Sequence, residues 1–132
     1  MKSILMLSTD QKILDPGSEV FERMTEYAKG PYFLEIAIIT PNLPKKNSYQ
    51  SQNLHINHFP APQSWKGLNL LKKQLLKQFQ KDYHLITAQN PFALAYLALH
   101  LKNKKRTSRV EIQLHGDFFN RHWIFENWKH PF

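Results

Sequence analysis

Apolar positions along this chain come in short runs, separated by polar stretches that hold most of the prolines. Residues 4–7 are continuously apolar and predict a short, buried first strand, followed by a polar loop over 8–15. Asp15-Pro16 signals a helix start, since Asp can cap and Pro suits the first helical position. From there Val20, Phe21, Met24, Tyr27 and Ala28 share one face at spacings of three and four. This helix runs to about residue 29 and ends at Gly30-Pro31. Residues 33–40 are almost continuously apolar, the pattern of a strand covered on both faces of a parallel sheet. Residues 41–52 predict a loop, and 54–59 a third, half-exposed strand of alternating character. A helix over 67–81 turns Leu68, Leu71, Leu75 and Phe79 inward. Residues 84–88 form a fourth strand, and Asn90-Pro91 starts a helix that is apolar nearly all round to residue 101. A basic turn over 102–109 leads to a fifth strand at 110–115, broken by Gly116. The stretch 117–132 is rich in aromatic residues.

Strands alternating with helices imply right-handed crossovers. The expected fold is therefore α/β, a mainly parallel sheet in order 3-2-1-4-5 with helices on both faces. At 132 residues the chain suits one domain. With 42% hydrophobic and 21% charged residues its composition is that of a globular protein. No cysteine is present, which excludes disulfides and thiolate metal sites and fits a cytoplasmic setting. The opening apolar run is too short for a signal core, and no stretch approaches the ~18 apolar residues of a membrane span. A soluble or peripheral protein is expected. A net charge of +8 favours anionic partners. Lys66, Lys73, Lys77 and Lys81 share the helix face opposite the leucines, a solvated surface or one that meets an anionic membrane. Nucleic acid is disfavoured, because basic and aromatic residues are not interleaved on one strand face.

Ligands of open α/β sheets bind beyond the carboxyl ends of the strands. Three polar clusters are expected there: Ser8, Thr9 and Asp10; Gln89 and Asn90; His115, Gly116 and Asp117. The four glycines, at 17, 30, 67 and 116, make neither a dinucleotide fingerprint nor a phosphate-binding Walker loop, and no cofactor is expected. His115 at a strand end can hydrogen-bond a sugar or phosphate oxygen or move a proton, with Asp117 orienting it. The same pair could equally satisfy a buried loop. No third metal ligand is evident, and no metal is expected. His55 and His58 should point to opposite faces of their strand. Arg23 lies within reach of Glu19 and Glu26, so a surface ion pair competes with an anion-binding role.

The run Leu85-Ile86-Thr87-Ala88-Gln89-Asn90-Pro91-Phe92, followed by an apolar helix, a basic turn and Glu111-Ile112-Gln113-Leu114-His115-Gly116-Asp117-Phe118-Phe119, resembles the N-terminal domain of family 4 glycosyltransferases. The opening Ile-Leu-Met-Leu-Ser-Thr-Asp and the segment Glu22-Arg23-Met24-Thr25-Glu26-Tyr27 are similar to a bacterial branch of that family. The resemblance covers essentially the whole chain. It implies the GT-B architecture, in which a Rossmann-like N-terminal domain holds the acceptor and a C-terminal domain holds the nucleotide-sugar. It also implies retention of anomeric configuration without a bound metal. It assigns His115 to the cleft near the transferred sugar, and Asp117 matches the position two residues later. Many members carry glycines after the first strand, which this chain lacks before Gly17. The resemblance further implies that residues 1–132 are an incomplete N-terminal domain without its donor domain. The implied function is acceptor binding, of a sugar or glycolipid, in a retaining sugar transfer. Nucleotide-sugar would bind only together with a donor domain, and no activity is expected alone. The alternative is a non-enzymatic remnant or binding module for anionic lipid, glycan or nucleic acid, cytoplasmic and peripheral at the inner face of the membrane.

Overall fold

The computed structural model describes residues 2–41, 48–105 and 109–113. Six strands form one sheet: β1 (Lys2–Ser8), β2 (Tyr32–Thr40), β3 (Ser48–Gln50), β4 (Leu54–Pro60), β5 (Leu85–Ala88) and β6 (Val110–Ile112). Three helices accompany them: α1 (Glu19–Tyr27), α2 (Trp65–Gln78) and α3 (Ala93–Lys105). The strand order is β3-β4-β2-β1-β5-β6. Every pairing is parallel except that of β3 with β4. The sheet thus has one strand more than the sequence pattern predicts. β3 lies in the stretch that reads as loop, and its Tyr49 packs edge-on against Phe21, ring centroids 4.9 Å apart.

The alternation of side chains along a strand divides the core in two. On one face Leu5, Leu7, Ala37 and Ile39 meet Leu68, Leu71 and Leu75 of α2 and Leu94, Leu97 and Leu101 of α3. On the other, Ile36, Ile38 and Ile56 meet Phe21 and Met24 of α1. Each such aliphatic side chain contributes ~1.5–3 kcal/mol by leaving water. β2 is buried on both faces because helices lie on both sides of it, as its apolar run requires.

Helix starts differ from the sequence expectation in instructive ways. Asp15 does not cap α1. Its Oδ1 accepts from Gly17 N–H at 3.1 Å in a tight turn, and Ser18 takes over the cap, accepting from Phe21 N–H at 3.0 Å. Glu19 and Glu22 then sit in the first turn, where they complement the helix dipole. α2 begins two residues earlier than expected, because Ser64 caps it through Gly67 N–H at 3.1 Å. It also ends at Gln78, so Lys81 is not on its lysine face.

Lys81 instead reaches Glu35 on β2, Nζ to Oε1 3.5 Å, and lies 3.8 Å from the centre of the Phe33 ring. The Tyr83 hydroxyl donates to Glu35 Oε2. This carboxylate, 9% exposed, is the one charged group in the otherwise apolar β2 run. Burial first, then the hydrogen bond to Glu35 and its charge, push the Tyr83 phenol well above its ordinary value. The cluster ties the α2–β5 connection to the amino-terminal half of the sheet.

Candidate functional site

Parallel strands end on one side of the sheet, so β1, β5 and β6 deliver their following residues to a common edge. Backbone bonds set the spacing there: Gln89 N–H donates to Leu7 O at 3.2 Å, and Gln113 N–H to Ala88 O at 2.8 Å. Ser8, the last residue of β1, is fully buried, and its hydroxyl donates to Gln89 Oε1 at 2.7 Å. The same Oγ accepts from Asp10 N–H at 3.1 Å. Gln89 Nε2 lies 3.3 Å from Met6 Sδ. Two of the three expected clusters therefore meet through a direct hydrogen bond between residues 81 apart in sequence.

Roles within the clusters divide. Ser8 is sealed beneath the site and fastens Gln89 in place; it does not line the ligand space. Thr9 is exposed. Asp10 caps the short 3-10 turn Gln11–Leu14, its Oδ1 accepting from Lys12 N–H at 3.0 Å. Asn90 Oδ1 accepts from Phe92 N–H at 3.1 Å and Leu94 N–H at 3.4 Å, so this side chain starts α3 as the sequence suggests. His115, Gly116 and Asp117 lie outside the described residues.

A cavity of about 290 Å³ opens at this edge, between α1 and the ends of β1 and β5. Asp10, Arg23, Tyr27, Gln89 and Gln113 give it polar groups; Met6, Ile13, Val20 and Met24 give it an apolar floor. Mixed lining of this kind suits a hydroxylated ligand, with donors and acceptors at the rim and carbon below. Among the described residues Arg23 forms no ion pair within 4.0 Å, so the expected pairing with Glu19 or Glu26 is not made. Its guanidinium is the cationic group of the cavity. Tyr27 and Gln113 join the site without a signal in the sequence pattern: the one reads as part of an apolar helix face, the other as strand interior.

A larger depression of about 620 Å³ lies toward the other edge of the sheet, lined by Gln11, Lys12, Leu14, Asp15, Pro16, Ser48 and Tyr49. It is wide open, and among the described residues neither the Ser8–Asp10 cluster nor Gln89 and Asn90 line it, so the smaller cavity is the candidate site.

His55 and His58 hold structural positions. His55 packs edge-on against Phe33, centroids 4.7 Å apart, with its Nε2 3.2 Å from Gln50 Nε2. His58 Nε2 lies 3.1 Å from Thr40 O. They occupy alternate faces of β4, as two residues three apart on a strand must. Among the described residues no group of three His, Cys, Asp or Glu side chains could hold a metal ion. The α2 lysines Lys66, Lys73 and Lys77 are exposed, and Leu70 (63% exposed) stands among them. Among the described residues no helix is long and apolar enough to cross a membrane. No known family model matches the chain, and a search of curated proteins finds no match.

Proposed function

We propose that this chain is the acceptor-binding, Rossmann-like half of a retaining glycosyltransferase of the GT-B type. In that reading it works with a second domain that holds the nucleotide-sugar. The observation that carries the reading is the polar cavity at the carboxyl edge, with the Ser8–Gln89 bridge beneath it and Arg23 in its wall. Gln113 lines that cavity two residues ahead of His115, the position that the family resemblance assigns to the transferred sugar. The five parallel strands follow the order β4-β2-β1-β5-β6, the 3-2-1-4-5 order that the reading requires, with β3 added at the edge.

Division of labour follows from the chemistry. Gln89, Gln113 and Asp10 would exchange hydrogen bonds with acceptor hydroxyls, while Arg23 would pair with an acidic or phosphorylated part of the same molecule. His115 would hydrogen-bond the transferring sugar or phosphate, with Asp117 orienting it and Gly116 allowing close approach. Retaining transfer also needs the leaving phosphate held and its charge stabilised, the task of the donor domain. The chain alone should therefore be silent with a panel of nucleotide-sugars. Combined with a donor domain, His115→Ala should lower turnover by on the order of 10²-fold while the fold persists. Robust transfer by residues 1–132 alone would overturn the half-enzyme reading.

A second reading rests on the exposed face of α2, where Leu70 lies among Lys66, Lys73 and Lys77 and Trp65 is 43% exposed. Such a face suits docking on an anionic membrane. Co-sedimentation with vesicles should then rise with anionic lipid and fall with salt.

A further inference from the structure

Gln89 is held from below by hydrogen bonds that run in one direction. Asp10 N–H donates to Ser8 Oγ at 3.1 Å, and the Ser8 hydroxyl donates to Gln89 Oε1 at 2.7 Å. Ser8 is fully buried, so its proton has nowhere else to go. Turning the amide over would leave that proton without an acceptor and set a carbonyl against the Met6 thioether, which has no proton to offer. The carbonyl of Gln89 is therefore committed to Ser8, and Nε2 is fixed on the other side. That nitrogen carries two donors, and its one hydrogen-bond partner among the described residues is Met6 Sδ at 3.3 Å, a weak acceptor. Arg23, in the wall of the same cavity, makes no ion pair among the described residues. Two sets of unused donors thus line one cavity of about 290 Å³. The carboxylate in the lining, Asp10, turns Oδ1 to Lys12 N–H at 3.0 Å.

We propose that this cavity holds a phosphate monoester, with Arg23 and Gln89 Nε2 donating to the one phosphate group. Ser8 is the positioning residue that keeps the Gln89 amide turned for donation. Three phosphate oxygens can accept from a guanidinium fork and an amide together, which the two oxygens of a carboxylate do less completely. The second charge of a phosphate monoester also strengthens its attraction to Arg23. A net charge of +8 draws such a dianion to the protein. The ligand class is therefore a small phosphorylated and hydroxylated molecule, with Gln113 and Asp10 left for its hydroxyls. The phosphate subsite rests on the reading of this cavity as the ligand site, but it does not require sugar transfer. The assay with a donor domain and the titration below can therefore fail separately.

The test titrates the isotope-labelled whole chain with methyl phosphate, and separately with acetate at equal ionic strength, and follows the side-chain amide signals of Gln89 by magnetic resonance. Methyl phosphate should shift these signals saturably and bind about tenfold more tightly than acetate. Gln89→Glu keeps an acceptor for Ser8 but replaces the donor by a carboxylate. It should weaken methyl phosphate by about tenfold or more, the worth of a hydrogen bond to a charged group. Ser8→Ala frees the amide to turn, so the preference for phosphate over acetate should fall while the melting curve still reports a folded domain. A purely structural Ser8 would lower the melting temperature and leave that preference intact. The proposal is overturned if acetate binds as tightly as methyl phosphate, if Gln89→Glu binds phosphate undiminished, if Ser8→Ala keeps the full preference, or if the Gln89 signals show no saturable shift.

Discussion

The two ends of this sheet treat buried polar groups in opposite ways. At the amino-terminal half, Glu35 is surrounded by its own partners: Tyr83 donates to one carboxylate oxygen, Lys81 approaches the other, and the Phe33 ring covers the lysine. At the carboxyl edge, Ser8 and Gln89 also bond to each other, but the groups above them face a cavity that contains an unpaired Arg23 among the described residues. A closed cluster spends its polarity on holding the fold. An open one keeps part of it for a ligand. The difference lies in geometry and not in residue type, since both ends draw on the same kinds of side chain.

Substitutions can separate the two roles, and the largest effect is expected at the closed end. Glu35→Ala removes the acceptor of Tyr83 and the partner of Lys81, and should cost about 2–3 kcal/mol in urea unfolding. Alkaline titration follows. The unfolded Tyr83 loses its proton near its ordinary value of 10.0, while the folded phenol holds it to higher pH. The folded state then binds more protons than the unfolded state, so the contribution is complete below pH 10 and is lost above it. The slope from this group is at most about 1.4 kcal/mol per pH unit. Unfolding measured between pH 9 and 11 (roughly the window around the ordinary phenol value) should show that component in the parent and not in Tyr83→Phe.

Effects at the open end should be smaller in stability and larger in binding. Ser8→Ala leaves Gln89 Oε1 without its donor and should cost about 1 kcal/mol, read by thermal melting. Arg23→Gln is expected to change stability by less than ~0.5 kcal/mol. It should nevertheless abolish the shifts that inorganic phosphate induces in the side-chain amide signals of Gln89 and Gln113. If Arg23→Gln unfolds the domain, or Glu35→Ala does not weaken it, the contrast between the two ends fails.

Much of this division could be read from the chain, and the exceptions have physical causes. The five parallel strands and three helices follow from apolar runs and periodicity, because parallel strands buried on both faces leave a strong pattern. β3 left none: Ser48, Tyr49 and Gln50 are mostly polar, and their pairing is made by β4 and by Phe21. Asp15-Pro16 carries the sequence signal for a helix start, but the turn through Gly17 uses the Asp15 carboxylate and moves the cap three residues on, to Ser18. The Ser8–Gln89 meeting was legible from topology alone. The cavity's Arg23 was not, since its expected partners are near in sequence and the structure leaves them apart. Lys81 was placed on the wrong surface because helical spacing was extended past Gln78, where the chain turns toward Glu35.

β1 occupies the middle of the sheet, between β2, which follows it closely, and β5, which begins at residue 85. During synthesis the first strand can pair with β2 early, yet its second side waits until Leu85–Ala88 have been made. Pairing at such separation carries a loop-closure cost before any contact repays it. Until then Leu5 and Leu7 have neither the β5 neighbour nor the α3 cover that later encloses them. The nascent chain therefore carries an unpaired strand edge beside exposed leucines until β5 and α3 have emerged, the interval in which a chaperone has the most to protect.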